Sequence, residues 1–470
     1  MGMSGDLVMM DKSAGQTKKF HFIGIGGSGM SGVAQICLDE GYRVSGSDLK
    51  KTEVTERLQT RGAVIHFPHS EKNVTEEPVV VISSAIPEAN EELAFARQKG
   101  LVVKKRAELL GWFMSSRQGI SVAGCHGKTT TTSMVSAILT EAGLDPTTVV
   151  GGESSHVGGN AKFGKGEFLV AEADESDGSF LYLPSTYSIV TNVDNDHLDY
   201  YGTIQKVEEA FACFLHKTRN CAMVCADDTF LAGLWRKNPD KIVGYGVHEE
   251  ADYRIVNVTF TDFGSEFEVH FQKQPLTSVR LNVPGMHNVL NATAALGLSH
   301  KLGVCPEVAA RALTKFVGVQ RRFELVADRD GVLAIDDYAH HPTEIVATLK
   351  AARRLADSRK GQLVVAFQPH RFSRLKHLID DFASSFLLAD YLYLMPVYSA
   401  GERSGGTLDS WALYRKLKNE KHRVELVKDC DYEKHAPRIF SELRGNDVFL
   451  TLGAGDVTKL GRMMSRKEYR

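Results

Sequence analysis

The run Gly124-Cys125-His126-Gly127-Lys128-Thr129-Thr130 packs glycines, a lysine and adjacent hydroxyls into one turn between an apolar run and a helical pattern. Backbone N–H groups at such a strand-to-helix junction converge on an anion. Gly124 and Gly127 let the backbone approach phosphate oxygens, Lys128 reaches a terminal phosphate, and the Thr129 hydroxyl suits Mg²⁺. The form is GxxGKT; the longer GxxxxGK[ST] loop would need glycine where Val122 stands. ATP or GTP is the ligand implied.

A second glycine turn, Gly24-Ile25-Gly26-Gly27-Ser28-Gly29-Met30, follows the strand-like Lys19–Ile25 and opens a helix reaching Gly41. A strand from Tyr42 to Ser47 then ends at Asp48, the acidic position of a dinucleotide-type fingerprint. This turn reads as a nucleotide-diphosphate site; the alternative is glycine placed for close helix–sheet packing.

Three further groups carry chemistry. Glu172, Asp174, Glu175 and Asp177 cluster at the C-terminal end of the strand Glu167–Ala173 and are either Mg²⁺ ligands or a solvated acidic turn. His197 follows Tyr187–Val193 within Asp194-Asn195-Asp196-His197 and is a candidate metal ligand. Asn288 and Asn291 share a helix face, where they contact a base or cap the helix. Near the C-terminus, His340, His370, Arg371 and Arg374 emerge at strand ends, a set suited to carboxylate and phosphate.

At 470 residues the chain exceeds one core. Alternating strand and helix patterns divide it into three α/β units with parallel sheets: 19–116, a Rossmann-like unit; 117–318, a P-loop ATPase-like unit; and 319–470, a second Rossmann-like unit. Gly119–Ala123 reads as the strand before the phosphate turn, and Thr130–Thr140 as an amphipathic helix after it. From Tyr253 to Val283 the alternation of Phe, Val and Thr predicts antiparallel strands.

The net charge of −2 supplies no field for nonspecific nucleic-acid binding, so small-molecule ligands are expected. Seven scattered cysteines without a CxxC pair suit a reducing compartment. No apolar stretch is long enough to span a membrane and no signal-peptide core is apparent, so a cytoplasmic protein is expected. Met1 to Lys18, small and polar, is left out of the fold.

The order of these motifs resembles the Mur ligases from about Lys19 onward. The resemblance is carried by Gly24–Met30, Gly124–Thr129, Glu172–Asp177, Asp196–Asp199, His287–Asn291, Arg321–Phe323, Asp336–Pro342 and Gln368–Phe372. The motifs look most like those of the branch that joins L-alanine to UDP-N-acetylmuramate. The resemblance implies an ATP- and Mg²⁺-dependent amide ligase, working through an acyl phosphate in peptidoglycan precursor synthesis. It assigns the nucleotide to Gly124, Cys125, His126, Gly127, Lys128, Thr129, Thr130, Asn288, Asn291 and Arg322. Metal goes to Thr129, Glu172 and His197. The sugar nucleotide goes to Gly26, Gly27, Ser28, Gly29 and Met30, with Asp48, His69, Ser84 and Arg106. The amino acid goes to Tyr338, His340, His370, Arg371 and Arg374. Lys128, His197, Arg322 and His340 are implied to be catalytic.

Two departures stand out. Cys125 occupies a position where threonine is common in this loop, and Ala210–Phe214 lacks the lysine that several related ligases carbamoylate as a metal partner. A monomer or weak homodimer is expected. The competing readings are a sister ligase that attaches a preformed tripeptide to the same sugar nucleotide and, using the first unit alone, an NAD-dependent oxidoreductase.

Overall fold

The computed structural model describes residues 18–154, 156–402, 409–420 and 423–466. The N-terminal tail set aside above lies, but for Lys18, outside the described residues. The chain packs into two compact units, one comprising the segments up to Gly124, Ala142–Val190 and Glu209–Ala222, the other Cys125–Glu141, Thr191–Glu208 and Met223–Arg470.

In the first unit, short Val/Ile/Phe-rich runs form β1 (Lys19–Ile23), β2 (Arg43–Ser47), β3 (Val64–His66), β4 (Val79–Ile82) and β5 (Val103–Lys105). They form a parallel sheet in the order β3-β2-β1-β4-β5. The winding reverses between β1 and β4, which opens a crevice at the carboxyl ends of these strands, where α/β sheets bind ligands. Under that edge lies Glu92, fully buried, accepting hydrogen bonds from Ser47 Oγ (2.6 Å), Ser70 N (3.0 Å) and Asn73 Nδ2 (2.7 Å), and paired with His21 Nε2 (3.1 Å). Burial pushes its carboxyl up, but bonds from His21, Ser47, Ser70 and Asn73 outweigh this and hold it down at about 2.

The same unit holds β6 (Gln118–Ala123), β7 (Thr147–Ser154), β8 (Gly159–Lys162), β9 (Phe168–Glu172) and β10 (Tyr187–Val190), ordered β10-β6-β9-β7-β8 with only β8 antiparallel to its neighbour. Asn160 on β8 donates its amide to Ser28 O and Ser31 Oγ, fixing the start of the helix Ser28–Asp39.

Along β11 (Cys221–Cys225) the chain passes into the second unit. There β12 (Ile242–Gly246), β13 (Tyr253–Phe260), β14 (Ser265–Phe271) and β15 (Gln274–Leu281) extend the order β15-β14-β13-β12-β11, and β13 to β15 are antiparallel as their alternation predicts. The C-terminal sheet comprises β16 (Glu324–Arg329), β17 (Val332–Asp337), β18 (Leu363–Phe367), β19 (Tyr391–Leu394), β20 (Val424–Leu426) and β21 (Val448–Leu452), ordered β16-β17-β21-β18-β19-β20 and parallel but for the edge strand β16. Its strands are buried on both faces. Leu363, Val365 and Phe367 enter one core with Leu333, Ile335 and Leu450, while Val364 and Ala366 enter the other with Ala334 and Phe449. Period-two alternation feeding two apolar layers is what a doubly wound sheet requires. The chain thus has the three-sheet α/β architecture read from the sequence.

One local reading is corrected. The helix after the phosphate turn, Lys128–Glu141, is not amphipathic: every residue from Thr129 to Leu139 is buried. Its Thr and Ser side chains mimic a polar face in sequence, yet the helix packs against Met286–Lys301 and Pro306–Lys315. Thr132 Oγ1 returns its hydrogen bond to the Lys128 carbonyl (2.8 Å), which lets a hydroxyl sit buried.

Candidate active site

The first unit places a cavity of about 330 Å³ at the β1/β4 switch point. Gly27, Ser28, Gly29 and Met30 line one side, Ser84 follows β4, and Arg106 follows β5. The helix Ser28–Asp39 begins after Gly27 without a side-chain cap, so its first amides are available to an anion. A Cβ on Gly29 would meet Arg106 Nη1 at 2.9 Å, so glycine lets the guanidinium lie across that helix start. Val149, Gly151, Glu172, Asp174 and Asp177 complete the wall. Glu172 Oε2 accepts the Gly151 amide at 2.6 Å.

Gly26, Asp48 and His69 do not line this cavity. Asp48 accepts the backbone amides of Gly26 (2.8 Å) and Leu49 (2.7 Å), bracing the glycine turn from behind. His69 Nδ1 shares a 2.7 Å hydrogen bond with Ser47 Oγ beside Glu92. Both are engaged in holding the strand edge.

In the second unit, the phosphate turn borders a cavity of about 370 Å³. The turn is gripped from residues just past β10: Cys125 N donates to Asn192 O (3.2 Å), His126 N to Asn192 Oδ1 (2.9 Å), and Thr191 Oγ1 and Asn192 Nδ2 donate to the His126 carbonyl (2.5 and 3.0 Å). That grip is why the strand read as Tyr187–Val193 ends at Val190. Gly124 and Gly127 have φ of 130° and 82°, conformations that favour glycine. A Cβ on Gly127 would also meet Asn291 Oδ1 at 2.7 Å. Lys128 Nζ lies 3.3 Å from the Cys125 carbonyl at the mouth of the turn.

Asn288, Asn291 and Arg322 line the same cavity as His126, Gly127 and Thr130. Asn288 Nδ2 donates to Pro284 O (2.7 Å), and the helix start at Gly285 carries no side-chain cap, so the capping alternative is not what the structure shows. Tyr338 has the guanidinium carbons of Arg321 and Arg322 at 4.9 and 5.1 Å from its ring centroid. His287 is held neutral, lowered to about 4 by burial and by Arg322.

Sequence reasoning missed two carboxylates that organise this cavity, Asp194 and Glu344. His126 Nε2 is 2.8 Å from Asp194 Oδ2, and its Nδ1 is 3.3 Å from Glu344 Oε1. Burial disfavours charge on this ring, but Asp194 and Glu344 outweigh it and raise His126 to about 9, so the turn carries an imidazolium next to Lys128. Glu344 also meets Arg322 Nη1 (3.5 Å) and His340 Nδ1 (3.3 Å). Although burial opposes its charge, His340, His126 and Arg322 hold its carboxyl well below the usual range. Its signal in the sequence was the capping spacing His341-Pro342-Thr343-Glu344, which starts the helix Pro342–Arg359.

A third, small cavity of about 30 Å³ is lined by Asp196, His197, Arg371 and Arg374. Arg374 Nη2 pairs with both oxygens of Asp196 (3.1 and 3.3 Å), while its Nε is buried without a hydrogen-bond partner. His370 Nδ1 is 3.3 Å from Arg374 Nη1, and its ring stacks on Tyr398 at 5.7 Å. His340 lies edge-on to His370 at 5.6 Å, and its Nδ1 donates to the Tyr338 carbonyl (2.9 Å). Burial, with Arg374, lowers His340 to about 3, leaving a neutral ring whose Nε2 keeps its lone pair. His197, in a left-handed conformation before a short helix, is 3.6 Å from Asp196.

Residues 19–118 match the Mur ligase family catalytic domain, 122–299 the Mur ligase middle domain, and 321–455 the Mur ligase glutamate ligase domain. The chain belongs to the Mur ligase family. It is 43% identical over 455 residues, 96% of this chain and 98% of the relative, to a UDP-N-acetylmuramate–L-alanine ligase of Geotalea daltonii. It is 45% identical over 450 residues, 95% of this chain and 97% of the relative, to one from Solidesulfovibrio magneticus. The solved UDP-N-acetylmuramate-alanine ligase of Thermotoga maritima superposes with a TM-score of 0.80 at 30% identity, covering 95% of this chain and 98% of that one. A murein peptide ligase from Psychrobacter arcticus, at 23% identity and a TM-score of 0.68, shares the fold.

Proposed function

We propose that this chain joins L-alanine to the lactyl carboxylate of UDP-N-acetylmuramate, consuming ATP and releasing ADP, phosphate and UDP-N-acetylmuramoyl-L-alanine. The observation that carries the reading is the pairing of an Arg106-backed diphosphate turn with a Lys128 phosphate turn in a chain that matches alanine-adding ligases end to end. An oxidoreductase would leave the second turn without a task. The tripeptide-adding alternative is not favoured by the end-to-end likeness to alanine-adding relatives.

In this reading residues 19–116 bind the sugar nucleotide, 117–318 the ATP, and 319–470 the amino acid. A lactyl carboxylate oxygen attacks the γ-phosphorus while the bond to the β-phosphate oxygen breaks, giving an acyl phosphate and ADP. The amine then attacks the acyl carbon, phosphate leaves, and the amine gives up its protons. Phosphoryl transfer of this kind depends on positioning and on neutralising charge. Lys128 and the His126 imidazolium supply positive charge at the turn. Asn288, Asn291 and Arg322 hold the nucleoside side of that cavity. Around the amino acid, the unpartnered Nε–H of Arg374, together with Arg371, receives the alanine carboxylate. Neutral His340 orients the ammonium through its Nε2 lone pair.

The donor chemistry fits Mg²⁺: the Thr129 hydroxyl and the Glu172 carboxylate are hard oxygen donors, and His197 would add an imidazole. The ion, when bound, would neutralise phosphate charge. The protein is proposed to act in the cytoplasm as a monomer or weak homodimer, without nucleic acid or membrane; among the described residues no helix is long and apolar enough to cross a membrane. The test is ADP release with ATP, Mg²⁺ and UDP-N-acetylmuramate. Dependence on L-alanine is expected, and dependence on the tripeptide instead would move the assignment to the sister activity.

A further inference from the structure

Between the phosphate turn and the start of the helix Pro342–Arg359, three donor atoms converge. His126 Nε2 and His341 Nδ1 lie 2.8 and 3.5 Å from the same oxygen of Asp194, and all three ligand atoms fall within 4.8 Å of one another. In a tetrahedral zinc site with bonds near 2.0 Å, ligand atoms stand about 3.3 Å apart, so side-chain adjustments of under about 1 Å bring this set onto one ion. We propose that His126, Asp194 and His341 form a binding site for a divalent transition metal of the zinc class.

The surroundings favour ligation over a merely structural cluster. A metal-bound histidine usually engages its other ring nitrogen with a carboxylate or carbonyl, which fixes the tautomer and orients the ring. Both rings do this: His126 Nδ1 faces Glu344 at 3.3 Å, and His341 Nε2 faces the Asn195 carbonyl at 3.4 Å. In the His341 tautomer that donates from Nε2, Nδ1 keeps its lone pair, which accepts the Thr343 amide at 3.4 Å as the helix cap and lies 3.5 Å from Asp194 Oδ2. Asp194 is oriented in turn by the Thr343 hydroxyl (2.6 Å). The cluster also has a way in, because a cavity of about 630 Å³ is lined by Asp194 and His341.

Two imidazoles with one carboxylate suit zinc-class ions, whereas Mg²⁺ prefers oxygen donors. The site is therefore separate in both residues and chemistry from the Thr129, Glu172 and His197 set. Occupied, it would displace the Nε2 proton of His126, replacing the imidazolium's charge by the ion's own, and tie the phosphate turn to the helix start that carries Glu344. The binding of the metal does not depend on the ligase reading.

The experiment uses tag-free full-length protein, with Co²⁺ as an optical probe and Zn²⁺ as competitor. One Co²⁺ per chain is expected, with the intense visible bands of a low-coordinate site, displaced by Zn²⁺ and not by a large excess of Mg²⁺. His341→Asn and Asp194→Asn should each weaken it by at least about tenfold, and Glu344→Gln by about tenfold through the second ring nitrogen of His126. His216→Asn, on the exposed face of another helix, should leave it unchanged. X-ray absorption of the zinc-loaded wild type needs no variant and should show two imidazoles with oxygen. Displacement by Mg²⁺, undiminished binding in a folded His341→Asn protein, or a zinc shell containing sulfur or fewer than two imidazoles would overturn the proposal.

Discussion

The glycine turn after β1 carries no cation of its own, and its charge comes from Arg106, which lies across the helix start because Gly29 has no Cβ. The turn after β6 carries its charge within itself, in His126 and Lys128, and is clamped by Thr191 and Asn192. Both use the same backbone device, amides at a helix start aimed at an anion. The difference suits their tasks in the proposed reaction. A diphosphate that is only held needs a guanidinium at its flank, while a phosphoryl group that is transferred needs charge fixed at the point where its own charge develops.

The largest effects break each turn's support. In the first unit, Glu92→Gln removes the charge and turns one of the two acceptor oxygens that gather Ser47, Ser70, Asn73 and His21 into a donor, and should cost about 3 kcal/mol in urea unfolding. Because the Glu92 carboxyl is held at about 2 when folded, its contribution is complete above the unfolded value of about 4.3 and fades as pH falls from there through about 2. The wild type should therefore lose more stability than the variant across that acid range. Equal slopes in the two proteins would contradict the network.

In the second unit, Lys128→Ala should leave the melting temperature intact and lower turnover by at least about 10²-fold. A loss below tenfold would remove Lys128 from the chemistry. Gly127→Ala sharpens the comparison by testing backbone alone. With φ at 82° and Asn291 at 2.7 Å from the added Cβ, about 1–2 kcal/mol of strain should weaken nucleotide binding by about 5–30-fold, read by calorimetry, with sugar-nucleotide affinity unchanged. The smallest effect is at Cys125, whose sulfur accepts the Asp194 amide at 3.2 Å. Cys125→Ser should keep turnover near wild type and abolish the ATP-protected inactivation expected of a thiol reagent; unchanged inactivation in the variant would place the reactive thiol elsewhere.

What the sequence made legible was local. Gly24–Met30 and Gly124–Thr129 announce their turns because glycine and lysine spacing is dictated by backbone geometry, and β13 to β15 announce theirs through alternation. Asp48 and His69 were harder to read because a sequence shows a polar residue near a turn without showing which way it faces. Both turn toward the strand edge, against Gly26 and Ser47. Asp194 and Glu344 escaped for the opposite reason: they lie 150 residues apart, and only the fold brings them to the two nitrogens of one ring. The buried threonines of the helix Lys128–Glu141 misled because a hydroxyl that bonds its own helix's carbonyl looks, in sequence, like a solvated face.

The most direct test of the two-turn account is a crossed calorimetric titration of Arg106→Ala and Lys128→Ala, each against UDP-N-acetylmuramate and a non-hydrolysable ATP analogue. The account predicts a crossed result: Arg106→Ala loses about tenfold or more in sugar-nucleotide affinity and keeps the ATP analogue, while Lys128→Ala does the reverse. If either variant weakens both ligands equally, or the losses fall on the opposite ligands, the division of labour between the two turns is wrong.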